Sequence, residues 1–283
     1  MLNCSSLYRD KPVLKMQQAE LLNAVKNICR EAGAAILEVY EQAGQIEVVE
    51  KTDNSPLTKA DLAAHGIITR ALQELTPEIP ILSEESAAIA WDERRQWIRY
   101  WLVDPLDGTK EFIKRNGEFT VNIALIVEHV PVLGVVYVPV KNVLYSGCSE
   151  SGAYKEENGL NKAIKVKLTS PGESAIIVAS RSHRGDKLDA WLARLKNSFS
   201  KIELLSMGSS LKICLVAEGE ADIYPRLALT SEWDTAAAQA ILEAAGGILT
   251  DTDFRTYRYN LKENILNPYF FAIGDKNFDW QGI

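Results

Sequence analysis

Between Phe119 and Val138 the chain reads FTVNIALIVEHVPVLGVVYV, and no other segment constrains its fold as tightly. Phe119, Val121, Ile123, Leu125 and Val127 alternate with their neighbours, the two-residue period of a strand. VLGVVYV continues past the EHVPV break, so the two runs pair as a hairpin. Upstream, residues 16–43 carry Leu21, Val25, Ile28, Ala32, Ile36 and Val39 at spacings of three and four, which predicts one long amphipathic helix. A short strand is expected near 46–49, then a polar loop, EKTDNSPLTKAD, broken by proline. A second helix is expected from Asp61 to the stop at Pro77, on Leu62, Ile68, Leu72 and Leu75. IPILSEE and RYWLVD read as strands, and VLYSGCSESGAYKEENG as further short strands and a turn. After about residue 165 the rhythm becomes short strand, helix, short strand, from AIIVAS to FFAIG. That alternation predicts a sheet with helices packed on it. The chain is therefore expected to be α/β (α+β), with an N-terminal half over 1–165 and a C-terminal half over 166–283.

Composition narrows the function. Of 283 residues, 47% are hydrophobic and 24% charged, enough for a large core. No apolar run reaches the ~18 residues a spanning helix needs. The first residues lack the apolar centre of a secretory signal, and Cys4, Cys29, Cys148 and Cys214 form no C-x-x-C pair. These features predict reduced thiols and a cytoplasmic location; no basic amphipathic helix requires a membrane, and a peripheral position on its inner face stays open. The net charge of −7 without a basic run argues against a polymeric nucleic-acid partner. Nothing points to an obligate protein partner. A small anionic ligand is compatible with that charge if metal ions supply the opposite sign.

The acids bear on this last point. WLVDPLDGTKEF delivers Asp104 and Asp107 at the end of an apolar run, where Pro105 stiffens the chain and Gly108 permits a tight turn. If a helix begins at Thr109, its amides offer an anion site. Carboxylates beside an anion site repel the anion unless hard cations stand between them, and Mg²⁺ is bound through a few carboxylates plus substrate phosphate. An isolated D-x-x-D is more often a capped turn. Two further acids shift the balance: Glu84 closes the apolar run of ILSEES, and Asp234 opens the Ala-rich EWDTAAAQA. The chemistry indicated is metal-assisted phosphoryl transfer. The two-residue spacing departs from the D-x-D of haloacid-dehalogenase phosphatases, and the pattern does not fit an EF-hand.

SEES, WLVDPLDGTKEF and EWDTAAAQAILEAAGG, in that order, resemble the lithium-sensitive, Mg²⁺-dependent inositol monophosphatase superfamily over nearly the whole chain from about residue 20. KTDNSPLTKAD, DGTKEF, NGEFTVNIALI, SRSH and GSSLKICLVAEGEADIYPR are similar to its 3′(2′),5′-bisphosphate nucleotidase branch. Members acting on inositol phosphates typically read DGTTNF and carry Asn in place of Lys212. The resemblance implies a layered αβαβα sandwich and two or three Mg²⁺ ions. Glu84, Asp104 and the Leu106 carbonyl would hold one ion, and Asp104, Asp107 and Asp234 a second. Glu84 and Thr109 would orient an attacking water, and Asp61 would polarise Thr109 or assist a third ion. The implied reaction converts adenosine 3′,5′-bisphosphate, a by-product of sulfate activation, into AMP and phosphate without a covalent intermediate. An inositol or sugar monophosphatase and a metal-dependent nucleotide sensor are the alternatives.

On the substrate side, Gly108, Thr109, Lys212 and Arg226 are candidates. The last two are placed at the remote 5′-phosphate, since an ammonium and a planar fork both suit phosphate oxygens. Ser182 and His183 either touch ribose or phosphate or form an ordinary capped turn. Gly208-Ser209-Ser210 opens a helix whose amides could receive a phosphate, or Ser209 is simply its cap. His65, His129, Trp91, Trp97 and Trp101 are read as structural.

Overall fold

The computed structural model describes residues 18–42, 48–50, 56–86, 88–180 and 186–282. Helix α1 (Gln18–Tyr40) precedes strands β1 (Val48–Glu50) and β2 (Pro56–Thr58) and helix α2 (Lys59–Leu75). There follow β3 (Ile81–Ser83), the one-turn helix α3 (Trp91–Arg94), β4 (Arg99–Asp107) and α4 (Thr109–Ile113). Five strands come next: β5 (Thr120–Val127), β6 (Val130–Val138), β7 (Val143–Cys148), β8 (Gly152–Glu157) and β9 (Leu160–Ile164). The remainder is β10 (Ser174–Ser180), α5 (Asp186–Leu195), β11 (Lys201–Met207), α6 (Leu211–Ala217), β12 (Ile223–Arg226), α7 (Ala236–Ala244), β13 (Ile248–Asp251) and β14 (Phe270–Ile273).

Strands β3 to β9 form a seven-stranded sheet in sequence order, parallel only at β3–β4. The second sheet has the order β11-β10-β12-β14-β13. Three apolar clusters stack these into five layers. Val25, Ile36, Ile68 and Leu72 of α1 and α2 pack on Trp101, Val121, Ile123 and Val135. The opposite face of that sheet, with Leu102, Ala124, Ile126 and Val136, meets α6 and α7, which rest in turn on Val178, Tyr224, Leu249 and Phe270 of the second sheet. Helix α5 closes the outer face through Leu188, Trp191 and Leu195 against Ile177, Ile223 and Phe271. This is the expected αβαβα order. A central sheet covered on both sides explains why β5 is apolar on both of its faces.

The middle layer sits unusually close to the sheet. Built onto Gly134 of β6, a Cβ would lie 2.1 Å from the Ala237 carbonyl oxygen of α7; on Gly147 of β7 it would lie 2.8 Å from the Ile241 Cα. The glycines let the α7 backbone settle directly on the strands, and this fixes its N-terminal end.

Three local expectations need correction. The polar loop before α2 contains a strand, β2, paired antiparallel with β1. Helix α2 begins at Lys59, two residues earlier than expected, because Thr58 caps it. In the β5–β6 hairpin the turn is the pair Glu128-His129, both with positive φ, and Pro131 lies within β6 beside a register shift. Among the described residues no helix is long and apolar enough to cross a membrane.

Candidate active site

Strand β4 runs on through both acids, and the chain turns only at Gly108. Asp104 pairs with Asn122 and Asp107 with Thr120, a three-residue step on β4 against two on β5. The extra residue is a β-bulge. In a regular strand residues three apart point to opposite faces. The bulge turns Asp107 to the side of Asp104, and both line one cleft of about 360 Å³. Asp104 Oδ1 accepts the Leu106 amide at 3.0 Å. Gly108 then takes a left-handed φ of 93°, and α4 opens at Thr109. Helix α4 is anchored by Phe112, whose ring meets Tyr40 of α1 at 5.3 Å and Phe119 at 5.2 Å.

The other acids arrive from separate elements. Glu84 starts a single 3₁₀ turn directly after β3, and Asp234 ends another, Glu232–Asp234, just before α7. Carboxylate oxygens of Glu84, Asp104 and Asp234 all lie within 4.8 Å of one another. Asp107 lines the same cleft beside this trio. Its Oδ2 accepts the Ser210 amide at 2.5 Å and the Asn122 side-chain amide at 3.4 Å. Asp61 lies behind the cleft wall. Its Oδ2 accepts the Thr58 amide at 2.8 Å and the Thr58 hydroxyl at 2.6 Å, and its Oδ1 is 3.3 Å from the Thr109 hydroxyl. The same hydroxyl is 3.3 Å from the Leu106 carbonyl oxygen.

Thr58-x-x-Asp61 and Ser231-x-x-Asp234 are both capping boxes, in which the acid at the third helical position binds the cap's backbone. Each box pins one carboxylate oxygen; the second oxygen of Asp61 meets the Thr109 hydroxyl. This shared [ST]-x-x-D spacing was readable in the sequence and would have tied the two aspartates together.

Electrostatics shows what the cleft requires. Burial, then Glu84, Asp107 and Asp234, pushes the Asp104 carboxyl well above the usual range. Burial, then Asp107 and Glu84, does the same to Asp234. Burial raises Asp107 to about 6, while Lys212 and the Ser210 amide hold it down. Such carboxylates stay ionised only if a cation joins them. The donors are all hard oxygens, with no sulfur or imidazole among them, and that suits Mg²⁺ rather than zinc. The residues present therefore fit a divalent metal.

The cleft also carries cations. Lys212 of α6 and Arg226 of β12 are both buried and line the same cleft. Lys212 Nζ donates to the Ser209 carbonyl and lies 5.5 Å from the centre of the Tyr224 ring. Burial lowers its pKa to about 8, opposed by Asp107 and aided by Arg226. Arg226 Nη2 donates to the Leu229 carbonyl at 2.9 Å, while its Nε is buried with no partner among the described residues.

Of the Gly208-Ser209-Ser210 amides expected to receive a phosphate, the first and third are already engaged. Gly208 donates to Glu118 Oε2 at 2.8 Å and Ser210 to Asp107. The chain's own carboxylates occupy both donors. Ser182 and His183 lie outside the described residues. Sequence reasoning also missed Asn122 and Ser210, which hold Asp107. Ser210 Oγ lies 2.9 Å from both Asn122 Oδ1 and Thr120 Oγ1. A polar residue inside an otherwise apolar strand was the signal for Asn122.

The layered fold and the three converging carboxylates are those of a metal-dependent phosphatase, and the chain belongs to the inositol monophosphatase family, whose sequence model matches residues 17–270. It is 52% identical over 250 residues to the 3′(2′),5′-bisphosphate nucleotidase CysQ of Salmonella typhimurium, covering 88% of this chain and 98% of that one. The crystal structure of CysQ from Bacteroides thetaiotaomicron is 44% identical and superposes with a TM-score of 0.80, over 92% of this chain and 98% of that one. The IMPase of Thermotoga maritima, 22% identical, shares the fold with a TM-score of 0.72, over 90% of this chain and 92% of that one.

Proposed function

We propose that this chain is a cytoplasmic, Mg²⁺-dependent 3′(2′),5′-bisphosphate nucleotidase that hydrolyses the 3′-phosphate of adenosine 3′,5′-bisphosphate, giving AMP and inorganic phosphate. The observation that carries this reading is a single cleft lined both by three converging carboxylates and by two buried cations. A bisphosphate nucleotide presents two anions, and the metals serve only one of them. The 52% identity to a nucleotidase of that name supports the same substrate class.

Glu84, Asp104, Asp107, Asp234 and the Leu106 carbonyl would hold two or three Mg²⁺ ions. When bound, such ions polarise the phosphoryl oxygens and lower the pKa of water. Asp61, held by Thr58, accepts the Thr109 proton and so aims the Thr109 oxygen at the cleft, where it orients the attacking water together with Glu84. Gly108 and Thr109 border the scissile phosphate. Water oxygen bonds to phosphorus, the bond to O3′ breaks, and O3′ leaves with a proton. Arg226 Nε, lacking a partner, is the donor best placed for the remote 5′-phosphate, with Lys212 beside it. Removing this nucleotide fits a role in sulfur metabolism.

The test is phosphate release with Mg²⁺ from adenosine 3′,5′-bisphosphate, its 5′-phosphosulfate analogue and myo-inositol 1-phosphate. Turnover of the nucleotides and its loss in excess chelator are expected. Release from the inositol ester alone would make the chain a monophosphatase, and nucleotide binding without release would make it a sensor.

A further inference from the structure

Glu84 and Asp234 come from opposite halves of the chain, yet their carboxylate oxygens lie within 4.8 Å of each other. Something outside the cleft has to hold two such groups together before a cation arrives. A buried polar bridge joins α3, the helix that follows the Glu84 turn, to the turn that carries Asp234. Arg94 sits on α3, ten residues after Glu84, and Glu232 begins the 3₁₀ turn that ends at Asp234. Between them stands Asn260. Its Oδ1 accepts from Arg94 Nη1 at 2.5 Å, and its Nδ2 donates to the Arg94 carbonyl at 2.6 Å. Its backbone amide donates to both Glu232 oxygens, at 2.9 and 3.1 Å. All three residues are buried, and none lines the cleft.

We propose that the Arg94–Asn260–Glu232 bridge is a positioning device that sets the separation of the Glu84 and Asp234 carboxylates and thereby the affinity of the cleft for a divalent cation; the proposal rests on the metal-dependent reading of that cleft. Three features support it. Asn260 has a φ of 53°, a left-handed conformation that asparagine tolerates better than most residues. The Arg94 guanidinium is further tied to the Glu263 and Lys262 carbonyls, so its orientation is fixed by the same segment. The turn bearing Asp234 is gripped again on its other side, where the Glu232 amide donates to the Ile265 carbonyl at 3.0 Å. Buried charges of this kind add little net stability over well-packed apolar residues. What they do supply is a defined geometry.

Asn260→Gly tests the bridge. It keeps the left-handed backbone and the amide to Glu232 and removes both contacts to Arg94. Calorimetric titration of Mg²⁺ into the metal-free protein is expected to show about tenfold weaker binding, the size of effect that outer partners of metal ligands have. At saturating Mg²⁺, kcat and the KM for adenosine 3′,5′-bisphosphate should return to wild-type values. Arg94→Lys, which keeps the charge and loses the fork, should weaken Mg²⁺ in the same direction and serves if Asn260→Gly does not fold. Asp222→Asn is the stability control, since Asp222 holds Thr169, Ile176 and Lys167 away from the cleft. Wild-type Mg²⁺ affinity in the folded bridge variants, or a loss no greater than in Asp222→Asn at matched melting temperature, would overturn the proposal. Unchanged Mg²⁺ binding and turnover in Asp234→Asn would instead overturn the reading of the cleft itself.

Discussion

Asp107 divides its labour between its two oxygens. Oδ2 is taken by Ser210 and Asn122, which under the proposed function leaves Oδ1 to face a cation, whereas Asp104 gives one oxygen to the Leu106 amide and is one of the trio. Asp104→Asn is expected to lower turnover by more than the roughly hundredfold that loss of an outer partner can cause; phosphate release over a range of Mg²⁺ concentrations measures it. Arg226→Ala should raise the KM for adenosine 3′,5′-bisphosphate about ten- to a hundredfold, the effect of one charge-assisted phosphate contact. Hydrolysis of a simple monophosphate should hardly change, because it has no second anion. The buried acids also predict a pH dependence. Asp104, Asp107 and Asp234 hold protons more tightly folded than unfolded. Without metal, that preference stabilises the fold below the ordinary carboxylate range and is lost as pH rises, through about 6 for Asp107, with Asp104 and Asp234 acting in the same direction. The melting temperature in chelator should therefore fall as pH rises from about 4 through about 6, and Mg²⁺ should remove most of that fall. The acids were legible in the sequence because carboxylates at the ends of apolar runs have few other uses. Ser210 was legible only as part of a helix start, because a serine carries no sign that its amide will serve a carboxylate ninety residues or more away.

At the scale of elements, α7 carries Asp234 at its start, and its position depends on Gly134 and Gly147. Gly134→Ala would drive a methyl into the Ala237 carbonyl, and overpacking of this kind costs about 1–3 kcal/mol. Melting temperature and turnover are both expected to drop, the second because Asp234 is displaced. Gly66→Ala on α2 is the contrast: nothing lies within 4 Å of the added Cβ, and the change should stabilise by about 0.5–1 kcal/mol without touching turnover. The two long helices and the β5–β6 hairpin were readable from period alone. The bulge in β4 was not, because it exists only in the mismatch between β4 and β5, and a single strand's sequence carries no register. Strand β2 was hidden for a related reason. Its three residues, Pro-Leu-Thr, look like a loop until β1 is paired with them.

For the whole molecule, the change of rhythm near residue 165 marks where the seven-stranded sheet ends and the second one follows. It did not reveal that the largest cluster of buried side chains draws on both sides of that point, since periodicity within an element does not say which sheet a helix will share. One cleft thus gathers buried cations and buried acids in a chain of net charge −7. The Gly208 and Ser210 amides, already engaged by Glu118 and Asp107, add no donor for an incoming anion. The consequence is a compulsory order of events. An anion meeting the metal-free cleft faces unshielded carboxylates, so cation entry has to come first and anion entry second. Inorganic phosphate, the reaction's own product, should show no calorimetric binding in chelator and clear binding once Mg²⁺ is added; equal binding in both conditions would refute the order. Product inhibition is then expected to deepen as Mg²⁺ rises, the two acting in concert rather than in competition.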